Sequence, residues 1–124
     1  MCRLRFVLKL DRRVLPFLIG VTALVAGCAA DTPAVPIGPD GEPDPVLAVG
    51  RDVWSQHCAS CHGASGGGGS GPKLNDGKVV EAFPDAADES QLILDGIGEM
   101  PGFAGKLSDS ELEAVVRYTR EVLG

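Results

Sequence analysis

Two thiols and an imidazole stand within five consecutive residues, Cys58-Ala59-Ser60-Cys61-His62. Cysteines separated by two residues, with a histidine directly after the second, form the pattern that attaches a c-type haem. Each group has its own task. The thiols add to the two vinyl groups of one porphyrin edge, which sets their separation, and a helical turn then carries the imidazole beneath the iron. Competing chemistries fit less well. A redox dithiol of this spacing follows a strand in a βαβ unit, whereas an amphipathic helical stretch leads into this one. Structural zinc takes four ligands from two separated pairs. Beyond Cys28, the remaining ligand of that kind outside the basic leader is His57, which would crowd all four into six consecutive residues. A disulfide across two residues would be strained. The expectation is one covalent haem c held at Cys58, Cys61 and His62.

A haem held by one histidine leaves its other face open. Apart from Met1, the sequence has one methionine, Met100, in Gly98-Glu99-Met100-Pro101-Gly102-Phe103. A lone methionine is normally core filler, but this one sits in a turn-rich loop flanked by glycine and proline. A thioether opposite histidine raises the reduction potential and closes the iron to outside ligands. His57 is pinned to the wrong side by its neighbour Cys58, and Lys73 and Lys106 are weaker substitutes.

The elements that must position these groups read as helices. Val46, Val49, Gly50, Val53, Trp54 and His57 make one stripe leading into the cysteines. Val79 to Phe83 is a short helical turn. Asp88-Glu89-Ser90-Gln91 reads as an N-cap opening Leu92-Ile93-Leu94, with Gly96 as the stop. Ser108-Asp109-Ser110-Glu111 is a capping box before a last helix carrying Leu112, Val115, Val116, Thr119 and Leu123. No strand alternation competes, so the fold class is all-α. The glycines from Gly66 to Gly69 lack the Gly-Lys-Ser/Thr of a phosphate loop, since Gly71 is followed by Pro72-Lys73-Leu74; they read as a flexible loop.

Ahead of this lies an address. Arg3, Arg5, Lys9, Arg12 and Arg13 precede an apolar run of twelve residues from Val14 to Val25, too short to span a bilayer comfortably. Val25-Ala26-Gly27-Cys28 then has the form of a lipobox. Residues 1–27 are therefore expected to be a lipoprotein signal peptide and Cys28 the lipidated residue; an ordinary secretory signal and an uncleaved anchor helix are the alternatives. Each of the three puts the haem domain outside the cytoplasm. Residues 28–45 hold Pro33, Pro36, Pro39, Pro43 and Pro45 and are expected to be a disordered linker, with a reach of roughly 50 Å. Residues 46–124 are the folding unit, whose marginal size would be offset by a covalently held apolar porphyrin.

Of 11 basic residues five fall in the leader, and of 17 acidic residues only Asp11 does. The exported part carries six against 16, a formal charge of −10. That excludes nucleic acid and fits a docking partner with a basic patch.

Residues 46–124 resemble the class I c-type cytochromes, in particular the short single-haem bacterial kind. Cys58-x-x-Cys61-His62, Gly71-Pro72-x-Leu74, Met100-Pro101-x-Phe103 and a final helix with Tyr118 occur in that family's order. The resemblance implies a small cytochrome c fold of three to five helices around one haem, with axial ligation by His62 and Met100. It also implies that the Pro72 carbonyl holds the other imidazole nitrogen of His62, and that Gly50 and Trp54 meet the last helix near Tyr118. Trp54 departs from the Phe or Tyr more usual there. The expected function is a membrane-tethered one-electron carrier. Its donor would be a quinol-oxidising complex or a dehydrogenase, and its acceptor an oxidase or reductase. The alternatives are an electron-transfer subunit of a larger oxidoreductase and, behind it, a small haem peroxidase or sensor.

Overall fold

The structure, a computed structural model, describes residues 32–124; the leader, the lipobox and Cys28 lie outside the described residues. Helix α1, Pro45–Val53, starts where proline supplies a preset φ and Asp44 accepts from the amides of Val46 and Leu47 at 2.8 and 3.2 Å. It continues without a break through a widened π-type turn, Trp54–Cys58, into α2, Ala59–His62. Three more helices follow: α3 (Lys78–Ala82), α4 (Ala86–Asp95) and α5 (Asp109–Tyr118), the last running into a second π-type segment, Thr119–Leu123. Among the described residues there is no sheet, only isolated bridges at Ile37–Pro43 and Ile97–Met100. The fold is all-α, as expected.

The frame is the crossing of α1 over α5. A β-carbon on Gly50 would lie 2.1 Å from the Ala114 carbonyl oxygen and 2.7 Å from the Tyr118 Cβ, so only glycine permits the contact. Below it Trp54 and Tyr118 are almost wholly buried with ring centroids 6.5 Å apart, and Val53, Val115 and Leu123 complete the cluster. The Trp54 indole N–H, which would be costly to bury unpaired, donates to the Ala64 carbonyl at 2.9 Å.

Several expectations are revised in detail. The α1 stripe runs through Leu47, Gly50, Val53 and Trp54, while Val49 and His57 face outward. The wider π-type turn changes the phase of the helix just where a 3.6-residue period would have kept His57 on the buried face. The cap of helix α4 lies three residues before the expected one. Asp85, not Asp88, accepts from the Ala87 amide at 2.9 Å, and Glu89 thereby becomes a buried residue inside the helix. Gly96 ends it at φ 75° as expected. The capping box of α5 forms as read, with Glu111 accepting from the Ser108 amide at 2.8 Å. Ala114 and Tyr118 widen its buried face beyond the predicted stripe.

Residues 32–44 do not hang free, in contrast to the disordered linker expected there. The Pro33 carbonyl accepts from the Tyr118 hydroxyl at 2.8 Å and from Arg51 Nε at 3.0 Å, and the Thr32 carbonyl accepts from Arg51 Nη2. Val35 packs against the core cluster, and the chain then reverses through a turn in which the Gly38 amide donates to the Glu42 carbonyl. Proline-rich composition signalled an absence of regular structure; it carried no signal that a buried tyrosine and an arginine would take up two carbonyls.

Gly50→Ala is expected to destabilise the domain by about 3 kcal/mol or more, the upper end for overpacking, because the obstructing atom is backbone; urea denaturation of the holoprotein measures it. Tyr118→Phe removes one hydrogen bond, an expected loss of about 1 kcal/mol, with faster limited proteolysis between residues 32 and 44 as the local sign.

Candidate functional site

The first wall of the site is built by the end of the α1–α2 helix and the loop that returns from it. Cys58 closes the π-type turn and is half-buried, Cys61 is exposed, and His62 is 8% exposed at the end of α2. Gly63, at φ 81°, stops the helix. The glycine run is an ordered return rather than a loose one. The amides of Gly66, Gly68 and Gly71 donate to the carbonyls of Gly63, His62 and Cys61 at 2.8 to 3.0 Å. This fold-back sets the Pro72 carbonyl 2.9 Å from Nδ1 of His62. That nitrogen therefore carries the proton, and Nε2 is the one left with a lone pair. Gly71 sits so close that a β-carbon there would come within 2.9 Å of the imidazole. Trp54 packs on the ring from the other side, centroids 6.0 Å apart.

The opposite wall comes from α4 and the loop behind it. After Gly96 the chain closes a tight turn, with Ile97 and Met100 exchanging amide–carbonyl bonds at 3.1 and 2.9 Å. The amides of Phe103 and Ala104 return to carbonyls of Ile93 and Leu94. This holds Met100 half-buried and Phe103 buried against the helix.

Between the walls is a cavity of about 550 Å³. Cys58, Cys61, His62, Pro72 and Met100 all line it, so the structure brings every one of the expected cofactor-binding residues in the domain to one place. The rest of the lining is mainly apolar, including Leu74, Val79, Phe83, Leu92, Ile93 and Val115. Lys73 is at the rim with its ammonium 2.7 Å from Asp76, and Lys106 donates to the Gly102 carbonyl. His57 stands edge-on to Phe103 at the mouth. A shallower hollow of about 380 Å³ beside residues 36–47 is lined by prolines and acidic residues and gathers no such set.

Burial and the neighbouring Cys61 push the Cys58 thiol up to about 11. A redox dithiol works through a thiolate with a lowered pKa, so the environment of Cys58 runs against that chemistry. Among the described residues no three His, Cys, Asp or Glu side chains are placed to hold a metal ion by themselves. The donors present are instead a fixed imidazole, a thioether and two thiols around an apolar slot. They suit an iron that arrives inside a flat apolar ring.

Two cavity residues went unnoticed as such in the sequence: Glu89 and Thr119, whose hydroxyl donates to the Glu89 carboxylate at 2.6 Å deep in the wall. The signal was present, since Glu89 shares a helix face with Leu92 and Ile93 at i+3 and i+4. It was obscured by assigning Glu89 to a solvent-facing cap.

Residues 45–118 match the family described as cytochrome c oxidase, cbb3-type, subunit III. Over 73 residues the chain is 33% identical to cytochrome c6 of Leptolyngbya boryana, covering 57% of this chain and 86% of the relative. It is 42% identical over 73 residues to dihydro-heme d1 dehydrogenase of Pseudomonas aeruginosa, again over 57% of this chain but over only 14% of that much longer protein. The solved structure of the c-type cytochrome NirC superposes with a TM-score of 0.51 at 30% identity, over 66% of this chain and 99% of that one. The order of helices, the paired walls and these matches agree: the chain belongs to the family described as cytochrome c oxidase, cbb3-type, subunit III, and its folded part is a small class-I-like c-type cytochrome domain.

Proposed function

We propose that this chain carries single electrons by means of one haem c. Cys58 and Cys61 would hold the haem through thioethers, His62 and Met100 would ligate its iron, and the Pro72 carbonyl fixes the imidazole. The observation that carries this is the convergence of all five residues on one apolar cavity, with Nδ1 of His62 already engaged by the Pro72 carbonyl. The haem, when bound, supplies an iron that alternates between two oxidation states with little change in shape; the protein sets its potential and its access. His62 is held in one tautomer and one orientation by the Pro72 carbonyl, so its Nε2 would meet an iron without turning. Met100 would supply a thioether to the iron, and the apolar Leu92, Ile93, Phe103 and Val115 side chains lining the cavity would keep water from it. The exposed Cys61 places one edge of the site at the surface, where a partner can approach closely. The cytochrome c6 relatives support carriage rather than catalysis.

The chain acts outside the cytoplasm, tethered through a lipid on Cys28, which lies outside the described residues. No described helix is long and apolar enough to cross a membrane. Electrons come from a quinol-oxidising complex or a dehydrogenase and leave to an oxidase or reductase. The family description favours one second reading, an electron-transfer subunit of a larger oxidase complex; purification of the native protein with or without such a complex separates the two.

The unmodified protein is expected to keep its haem through acidified organic extraction, to resist carbon monoxide when reduced, and to show the weak far-red band of iron–sulfur ligation when oxidised. Met100→Ala is expected to admit carbon monoxide and lower the potential, because the axial ligand is a main lever on the iron. Ready binding of carbon monoxide by the unmodified protein would place a peroxidase or sensor ahead of the carrier.

Mass spectrometry of the native N-terminus is expected to find a diacyl- or triacyl-cysteine at Cys28, and Cys28→Ala to release the protein from membranes or block its processing. An unmodified terminus elsewhere would replace the lipid tether with simple secretion or an uncleaved anchor.

A further inference from the structure

One ionisable side chain in the wall of the cavity has no part in electron carriage as described. Glu89 is 4% exposed, deeper than His62, and it lines the same cavity. A carboxylate taken out of water needs partners or must neutralise. Its partners come from the helical segment packed against α4: Oε1 accepts from Thr119 Oγ1 at 2.6 Å and Oε2 from Arg120 Nη1 at 3.2 Å. The Arg120 guanidinium is shared, since it also donates to the carbonyls of Phe83 and Pro84 at 2.7 and 3.0 Å.

The Thr119 hydroxyl has a second acceptor, the Val116 carbonyl at 2.8 Å, and only one hydrogen to give. When Glu89 is ionised, the hydroxyl donates to it. When Glu89 is protonated, the carboxyl donates to the hydroxyl oxygen, and the hydroxyl turns its hydrogen to Val116. Both protonation states are satisfied with no heavy atom moving.

We propose that Glu89 couples the charge of the cofactor to a proton: when a donor protein delivers one electron to the haem, the Glu89 carboxylate takes up one proton from water, and it releases that proton when the electron leaves. The inference rests on the haem reading of the cavity. Electron and proton enter together, so the charge in the cavity is unchanged across the cycle. The physical cause is mutual repulsion in a poorly screened interior, where a unit of negative charge added near a buried carboxylate is felt far more than in water. Burial already lifts this carboxyl above its ordinary range, against the opposing pull of the Thr119 hydroxyl and of Arg120. The other charged groups on neighbouring elements are Lys78 of α3, paired with Glu81, together with Lys73, paired with Asp76, and Glu99 at the cavity rim. On α4 itself Asp85, Asp88 and Asp95 are exposed. His57 also lines the cavity, and a bound haem would bring its two propionates.

Potentiometric titration of the haem-loaded protein across pH decides the matter. Between the carboxyl pKa values of the oxidised and reduced forms, the potential is expected to fall with rising pH by tenfold in the redox equilibrium per unit, about 59 mV for one electron. It should be level on either side. Glu89→Gln should abolish that slope and leave the potential higher at the alkaline end. Thr119→Val, which removes a donor to the ionised form, should move the sloping interval to higher pH. Infrared difference spectra of the unmodified protein should gain a protonated-carboxyl band on reduction, absent from Glu89→Gln. A haem-loaded protein with a level potential and no such band overturns the proposal, as does a slope that survives in Glu89→Gln, which would belong to the propionates. Should Glu89→Gln not accumulate, the infrared band and the Thr119→Val shift still decide. A chain that never acquires covalent haem overturns the reading of the site instead, and the two failures are told apart by the visible spectrum.

Discussion

The contact between Gly50 and the backbone of Ala114 is the constraint on which the rest of the molecule depends. Two helices can cross with a missing β-carbon at their closest point only if nothing bulky stands on either side. Once they do, Trp54 and Tyr118 are forced into adjacent buried positions. Trp54 then packs beside the imidazole of His62, and α5 and the π-type segment after it present Val115 and Thr119 to the same cavity. The two walls are thus referred to one rigid crossing rather than to each other. That matters because the cavity itself supplies little cohesion before it is filled.

A domain this small has, among the described residues, one core cluster of five buried residues and a slot of about 550 Å³ beside it. An apolar group filling the slot would supply the packing that the lining residues lack on their own. The cost of the arrangement is visible at Glu89, Thr119 and Arg120, a polar seam in an otherwise apolar wall. Such a seam is tolerable because no buried side-chain polar atom in it is left without a partner.

Much of this was legible in the residues. Cys58, Cys61 and His62 were legible as residues of one site by spacing alone, Met100 by standing alone in a Gly- and Pro-flanked loop, and Ser108 with Glu111 as a cap by a local motif that needs no tertiary context. What was illegible had non-local causes. Asp85 and Asp88 are both competent caps, and the choice between them follows from whether Glu89 finds Thr119 and Arg120 thirty residues away. The widened turn at Trp54–Cys58 leaves no mark in composition, yet it decides that His57 faces out. The glycine run looked slack because glycine permits slackness; the carbonyls of Cys61, His62 and Gly63 use that permissiveness to close an ordered return.

The clasp on Pro33 changes the scale on which a tethered domain would explore its surroundings. A free proline-rich leash from Cys28 would let the domain sweep a hemisphere several times its own radius. With the Thr32 and Pro33 carbonyls gripped by Arg51 and Tyr118, an anchor at Cys28 is only four residue steps from the nearest gripped point, at most about 14 Å of chain. The domain would then lie nearly against its membrane with a restricted set of orientations. Its encounter with a partner would be a two-dimensional search, in which the face presented is chosen by where the clasp sits. A soluble partner would have to come down to the surface, whereas one embedded alongside would find the domain already at its own height.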